Sequence, residues 1–225
     1  MEFKRIFFLL IFLLLIFLCV KNLNFTKIKV FVDDDIVFGI AQDIGRNRVD
    51  VIKSENPTIK IKENFDYENF WIPIEKLKKS AYEILNQLIY LDPKNKVYYL
   101  KNYSFYINRL DKIDSSIKKR IEKIKNKNIV VYSDFLDDFA KIYGLNILCH
   151  INDLKKPNEI LDCIKLIRDK KVKTLFILPS ELNKTSEQYS KLLNLKLVIL
   201  KDIKSGRYLD VMEDNFDMIY NSLNE

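Results

Sequence analysis

A single histidine, His150, and three cysteines, Cys19, Cys149 and Cys163, are the only imidazoles and thiols among 225 residues. One imidazole rules out a multi-histidine metal centre, and three thiols make neither a zinc ribbon nor a disulfide framework. The four glycines, Gly39, Gly45, Gly144 and Gly206, are never adjacent. That excludes a phosphate cradle, because backbone that wraps an anion needs clustered residues without Cβ. Ser133 lacks the glycine-flanked elbow of a hydrolase nucleophile, and no histidine is reserved to activate it. His150 closes an apolar run and reads as a satisfied buried or rim histidine. Asp33, Asp34 and Asp35 are consecutive, so their side chains diverge, and helix capping suits them better than holding a cation. The chemistry left to the chain is that of scattered oxygen donors, and the sequence reads as a protein that is not an enzyme.

Charge does not supply a function either. The net charge is +7, yet lysines alternate with acids, as in Lys76, Lys78 and Lys79 beside Glu75 and Glu83. This is a solvated surface and not a nucleic-acid footprint. Tyr98, Tyr99, Tyr103, Phe105 and Tyr106 fall on a helical pattern as core or contact residues, not as a base-stacking platform. At the N-terminus, Ile6 to Val20 is an unbroken apolar run between Lys4-Arg5 and Lys21. As a helix it would rise about 22 Å, short of a ~30 Å hydrocarbon core, which reads as an export signal. Two fates stay open for it: an uncleaved anchor, or lipid attachment at Cys19. Both place the rest of the chain outside the cytoplasm, tethered to a membrane. Cys149 on a strand and Cys163 on the next helix are expected as two buried thiols, since helix-on-sheet spacing puts their Cα atoms near the ~7 Å limit for a bridge.

Periodicity sets out the elements. Ile28 to Val32 and Arg48 to Ile52 read as strands flanking a short helix, Ile36 to Ile44. Ile74 to Leu91 is an amphipathic helix after Pro73. Asp92-Pro93 is a helix-start signal, and from there to about Lys127 a narrow apolar stripe (Tyr103, Tyr106, Leu110, Ile113, Ile117, Ile121, Ile124) predicts one rod long enough to cross the molecule. Beyond it, β-rich runs at Ile129–Tyr132, Leu145–Ile151, Val172–Leu178 and Leu195–Leu200 alternate with helical ones, and Tyr208–Leu223 closes the chain. Such alternation implies right-handed crossovers and a four-stranded parallel sheet covered on both faces.

Several short motifs stand in a telling order: Glu68-Asn69-Phe70-Trp71-Ile72-Pro73, Leu91-Asp92-Pro93-Lys94-Asn95, Val130-Val131-Tyr132-Ser133-Asp134, Phe139-Ala140-Lys141-Ile142-Tyr143-Gly144, Phe176-Ile177-Leu178-Pro179 and Tyr208-Leu209-Asp210-Val211-Met212. Their order and spacing resemble the extracytoplasmic zinc- and manganese-binding proteins of metal-uptake ABC transporters. The resemblance implies an α/β, two-lobed, periplasmic-binding-protein-like fold with a long linking helix. It divides the chain into a signal or anchor segment (1–25), a reduced N-terminal lobe (26–92), the linking helix (93–127) and a four-stranded C-terminal lobe (128–225).

The same resemblance implies four metal-binding side chains at the lobe interface, and here the sequence departs from its relatives. Only 18 residues separate Ile52 from Trp71, so the loop carrying the first histidine is missing. The second ligand position falls on Asn69, the third on Ser133 with Asp134 adjoining it, and the fourth on Asp202. Asp134 also suits a helix N-cap, and Asp202 a strand-end surface acid. An amide, a hydroxyl and one or two carboxylates make a hard, weak site for a divalent metal, unlike the mixed cage that holds zinc tightly. The expectation is a membrane-tethered solute-binding protein of a zinc/manganese-type ABC transporter, docking on a permease, with an altered or lost metal site. The alternative is a scaffold of that ancestry that no longer handles metal.

Overall fold

The computed structural model describes residues 26–63, 65, 71–202 and 207–224. Strands β1 (Ile28–Val32) and β2 (Val49–Lys53) pair in parallel, Ile28 opposite Val49, joined by helix α1 (Asp35–Gly45). Asp34 starts that helix: its carboxylate accepts from the N–H groups of Ile36 (2.7 Å) and Val37 (2.8 Å). Helix α2 (Ile74–Leu91) follows Pro73, and α3 (Lys96–Lys123) runs 28 residues, about 42 Å at the usual rise. The rod is shorter at both ends than the 93–127 span implies. Pro93–Asn95 forms a 3-10 turn, because the Asp92 carboxylate caps no backbone. It accepts instead from the Tyr99 hydroxyl and the Asn95 amide, each at 2.7 Å. At the other end Ile124 is already extended.

The second sheet has the order β4-β3-β5-β6, all parallel: β3 (Asn128–Val131), β4 (Asn146–His150), β5 (Thr174–Ile177) and β6 (Lys196–Ile199). Helices α4 (Asp137–Tyr143), α5 (Pro157–Asp169) and α6 (Lys184–Leu193) connect them, and α7 (Tyr208–Asn224) follows. Gly144 ends α4 at φ 76°, a left-handed conformation that only glycine adopts cheaply, and its N–H returns to the Ala140 carbonyl at 2.8 Å. Side chains alternate across the strands. Ile129, Val131, Phe176 and Val198 join a core with α3, α4 and α7, and this core continues through Trp71 and Leu77 into α1, β1 and α2. Val130, Leu175 and Ile177 face a second core with Cys163 and Ile167 of α5 and Leu193 of α6.

The two cysteines are not free thiols. Cys149 and Cys163 form a disulfide with their Cα atoms 6.1 Å apart. The expectation of unpaired thiols took an average helix-to-sheet spacing. Here β4 is the edge strand, and α5 packs directly on it, which brings the pair within bridging range.

Helix α7 is strapped along α3. Arg109 pairs with Asp210 (2.6 Å) and with Glu213, and the Arg120 guanidinium lies 4.1 Å from the Tyr220 ring centre while pairing with Asp217. At the start of α7 the hydroxyl of buried Tyr208 accepts from the Ile72 N–H at 2.7 Å. Tyr208→Phe would leave that N–H buried without its acceptor. The variant is expected to lose about 1–3 kcal/mol in urea unfolding, with native circular dichroism retained.

Candidate functional site

In a parallel sheet, loops at the carboxyl ends of the strands carry ligands, most often where the strand order reverses. Here that point lies between β3, which leads outward to β4, and β5, which leads the other way to β6. The register sets the levels: Val131 stands opposite Phe176, and Phe176 opposite Val198. Ser133 and Leu200 are therefore both two residues past one level line, with Asp134 and Asp202 just beyond them.

Ser133 is half-buried after β3, and its hydroxyl donates to the Glu181 carboxylate. Glu181 ends the 3-10 turn Pro179–Glu181 after β5, and its other oxygen accepts from the Leu178 N–H at 2.9 Å. One carboxylate thus bridges the loops on either side of the switch point. Asp134 is exposed. It is the first residue of the 3-10 turn Asp134–Leu136 and not the cap before it, a place taken by Ser133, so its expected capping role is not met.

Asp202 is exposed two residues beyond buried Leu200. The backbone before it is fixed by Asn215 of α7, a buried amide that accepts from the Lys201 N–H (2.6 Å) and donates to the Lys201 carbonyl (2.9 Å). β3 and β6 are separated by β5, so Asp134 and Asp202 spring from strands about 9–10 Å apart. Asn69 and Cys19 lie outside the described residues. Among the described residues no three histidine, cysteine, aspartate or glutamate side chains converge as a metal cage.

His150, at the carboxyl end of edge strand β4, is engaged elsewhere: its Nε2 lies 2.8 Å from Asp137 Oδ1 of α4. At the ends of β1 and β2, Asp33, Asp34, Asp35, Glu55, Lys60 and Glu63 line an open cleft of about 790 Å³. Asp34 caps α1, and Asp35 pairs with Lys53 at 2.7 Å. The hydrogen bond from Lys79 holds the Glu63 carboxyl below the usual carboxylate range. Asp34, Asp35 and Glu63 are already committed to local partners.

Sequence reasoning missed Glu181 and Asn215. Glu181 is 48 residues from Ser133, and Asn215 is 14 from Lys201. The only signal available was position: each stands in a segment that β5 or β6 must deliver to the carboxyl edge.

Comparison with known proteins places this arrangement. Residues 30–222 match the family described as zinc-uptake complex component A, periplasmic. The manganese ABC transporter substrate-binding lipoprotein PsaA of Streptococcus anginosus is 30% identical over 191 residues, 79% of this chain and 61% of that protein. The iron ABC transporter substrate-binding lipoprotein MtsA of Streptococcus pyogenes serotype M1 is 31% identical over 178 residues, 76% of this chain and 53% of its own length. The chain thus spans about three fifths or less of these curated relatives. Among solved structures, a zinc-bound variant of AdcAII from Streptococcus pneumoniae superposes with a TM-score of 0.66 at 16% identity, over 88% of this chain and 99% of that one. A manganese-bound variant of a periplasmic metal binding protein from Candidatus Liberibacter asiaticus gives 0.65 at 18%, over 88% and 100%. At these identities the superpositions show the fold, two α/β lobes with a long helix.

Proposed function

This chain belongs to the family of periplasmic zinc-uptake components, and from that premise we propose that it is the substrate-binding component of a metal ABC transporter. It sits outside the cytoplasm, tethered by its N-terminal segment with Cys19 as the candidate lipid attachment, and hands a divalent cation to a membrane permease. The observation that carries this reading is the family match, which runs through both sheets and the helix between them. The Cys149–Cys163 disulfide supports it, since such bridges persist in oxidising, extracytoplasmic compartments.

The cargo site in this reading is altered. Ser133, Asp134 and Asp202 at the carboxyl edge, with Asn69 as a further candidate, offer oxygen donors, and Glu181 brings a carboxylate against Ser133. Oxygen-only sets of this kind favour hard cations held weakly over zinc held tightly. Calorimetric titration of the purified chain with zinc, manganese and calcium is expected to give dissociation constants on the order of 10⁻⁴ M. Asp202→Ala is expected to weaken binding at least about ten-fold, the loss of one charged oxygen ligand. Sub-micromolar zinc binding would overturn the altered site and restore an inherited one.

A second reading keeps the fold without the cargo: a scaffold on which other proteins assemble. It is favoured by the mutual engagement of Ser133 with Glu181, a contact that a metal at Ser133 would need to displace. No heat of binding at millimolar metal would decide for it.

A further inference from the structure

The tip of the hairpin formed by α2 and α3 carries large apolar side chains in water. Tyr90 is 85% exposed, Val97 80% and Phe105 50%, with Leu91 and Leu100 partly exposed beside them. Val97, Leu100 and Phe105 follow helical spacing on the open side of α3, so they form one stripe and not scattered points. Lys94, Lys96 and Lys101 are exposed between them, and the Lys101 ammonium lies 5.8 Å from the Phe105 ring centre. From Tyr90 to Ser104 the only acid is Asp92, which is buried and hydrogen-bonded to Tyr99. The surface is therefore apolar and basic, with no accessible negative charge from its own segment.

Its position in the fold says what covers it. Asn102 of α3 donates to the Ile44 carbonyl at 2.9 Å, Arg46 lies 5.9 Å over Phe105, and Arg48 lies 5.4 Å over Tyr98. Arg48 immediately precedes Val49, which pairs with Ile28, the first residue of β1. The hairpin tip thus flanks the point where the chain enters the N-terminal lobe, at the amino ends of β1 and β2 and away from the carboxyl edges. Val20, the end of the apolar run, is eight residues before Ile28. Even fully extended, that connection spans at most about 28 Å. A tether this short holds this end of the lobe near the membrane. Basic residues interleaved with aromatic and aliphatic ones suit an anionic headgroup layer, where each lysine contributes attraction and the apolar side chains sink toward the acyl boundary.

We propose that the α2–α3 hairpin tip is a membrane-contact surface that rests on anionic lipid. The proposal rests on the tethering described above, and the test reads the two separately. The full chain is incubated with vesicles of phosphatidylcholine alone or mixed with phosphatidylglycerol. Flotation at high salt reports the tether. Lysine labelling by a membrane-impermeant amine reagent, read by mass spectrometry, reports the patch.

On phosphatidylglycerol vesicles, labelling of Lys94, Lys96 and Lys101 is expected to slow about five-fold, the factor that corresponds to one lysine's attraction to an anionic surface. Lys119 and Lys123, at the far end of the same helix, should label unchanged. Val97→Asp combined with Phe105→Ser, both at exposed positions, is expected to abolish the slowing and leave flotation intact. Equal labelling on both vesicles by a chain that floats would overturn the membrane patch while leaving the tether standing. Slowing that appears without vesicles, from a second copy, or only once a permease is present, would also overturn it. A chain that does not float but still shows the phosphatidylglycerol-dependent slowing loses the tether and keeps the patch. Absence of both readouts removes both.

Discussion

Trp71→Ala is expected to lower the unfolding free energy by about 3–5 kcal/mol, the range for truncating a large buried aromatic residue. Trp71 is 1% exposed and meets the rings of Phe139 (4.8 Å, 72°) and Tyr143 (5.4 Å, 85°) edge to face. Its partners belong to α4, the helix that leaves β3 just after Ser133 and Asp134, whereas Trp71 itself stands at the head of α2. The indole is therefore a joint between the N-terminal elements and the sheet that carries the candidate site. Removing it opens a cavity in the core shared by both lobes, which neither side can collapse to fill. Urea unfolding followed by far-ultraviolet circular dichroism measures the effect, because Trp71 is the sole tryptophan and its fluorescence disappears with it. Trp71→Phe should recover more than half of the loss, since an aromatic edge can still meet Phe139. A loss below about 1 kcal/mol for Trp71→Ala would mean that the lobes do not depend on this contact, as ordinary surface substitutions rarely exceed half that.

Opening the disulfide is the other large effect. Cys149 and Cys163 are 14 positions apart. A cross-link closing a loop of that length restricts the unfolded chain by about 3 kcal/mol. The Cys149→Ser, Cys163→Ser double variant is expected to unfold at lower denaturant concentration by that amount. A thiol reductant should bring the wild-type chain to the same midpoint and leave the variant unmoved. The bridge fastens α5 to edge strand β4, so reduction should expose the second core, with Ile167 and Leu175, ahead of the one around Trp71. Coincident midpoints for the wild-type chain with and without reductant would show that the cross-link adds nothing to stability.

Elements were legible where local rules act alone. The span Ile74–Leu91 follows from Pro73 and an unbroken apolar stripe, and the structure begins and ends the helix at those residues. The four β-rich runs of the C-terminal half emerge as the four strands of one parallel sheet, because alternating strand and helix patterns leave few other ways to bury both faces. The start of α3 was less legible. Asp92-Pro93 carries the usual signal of a helix start, but Asp92 is drawn inward by the Tyr99 hydroxyl, seven residues on, and a 3-10 turn results. That competition is invisible without the packing that buries Tyr99.

The candidate site divides the same way. Residue types alone determined that the candidate positions Ser133, Asp134 and Asp202 carry oxygen and neither imidazole nor thiol, whatever the fold. Alternation and stripe width likewise determined the strands and helices, because each element must bury an apolar face of its own period. Tertiary structure alone decided which distant groups meet. It sets the Glu181 carboxylate on Ser133 across the switch point, clamps Lys201 with the Asn215 amide, and brings Cys149 within bonding distance of Cys163. Hydrogen bonds and covalent bridges act over a few ångströms, and contacts between residues tens of positions apart depend on strand order and helix placement, which no local pattern encodes.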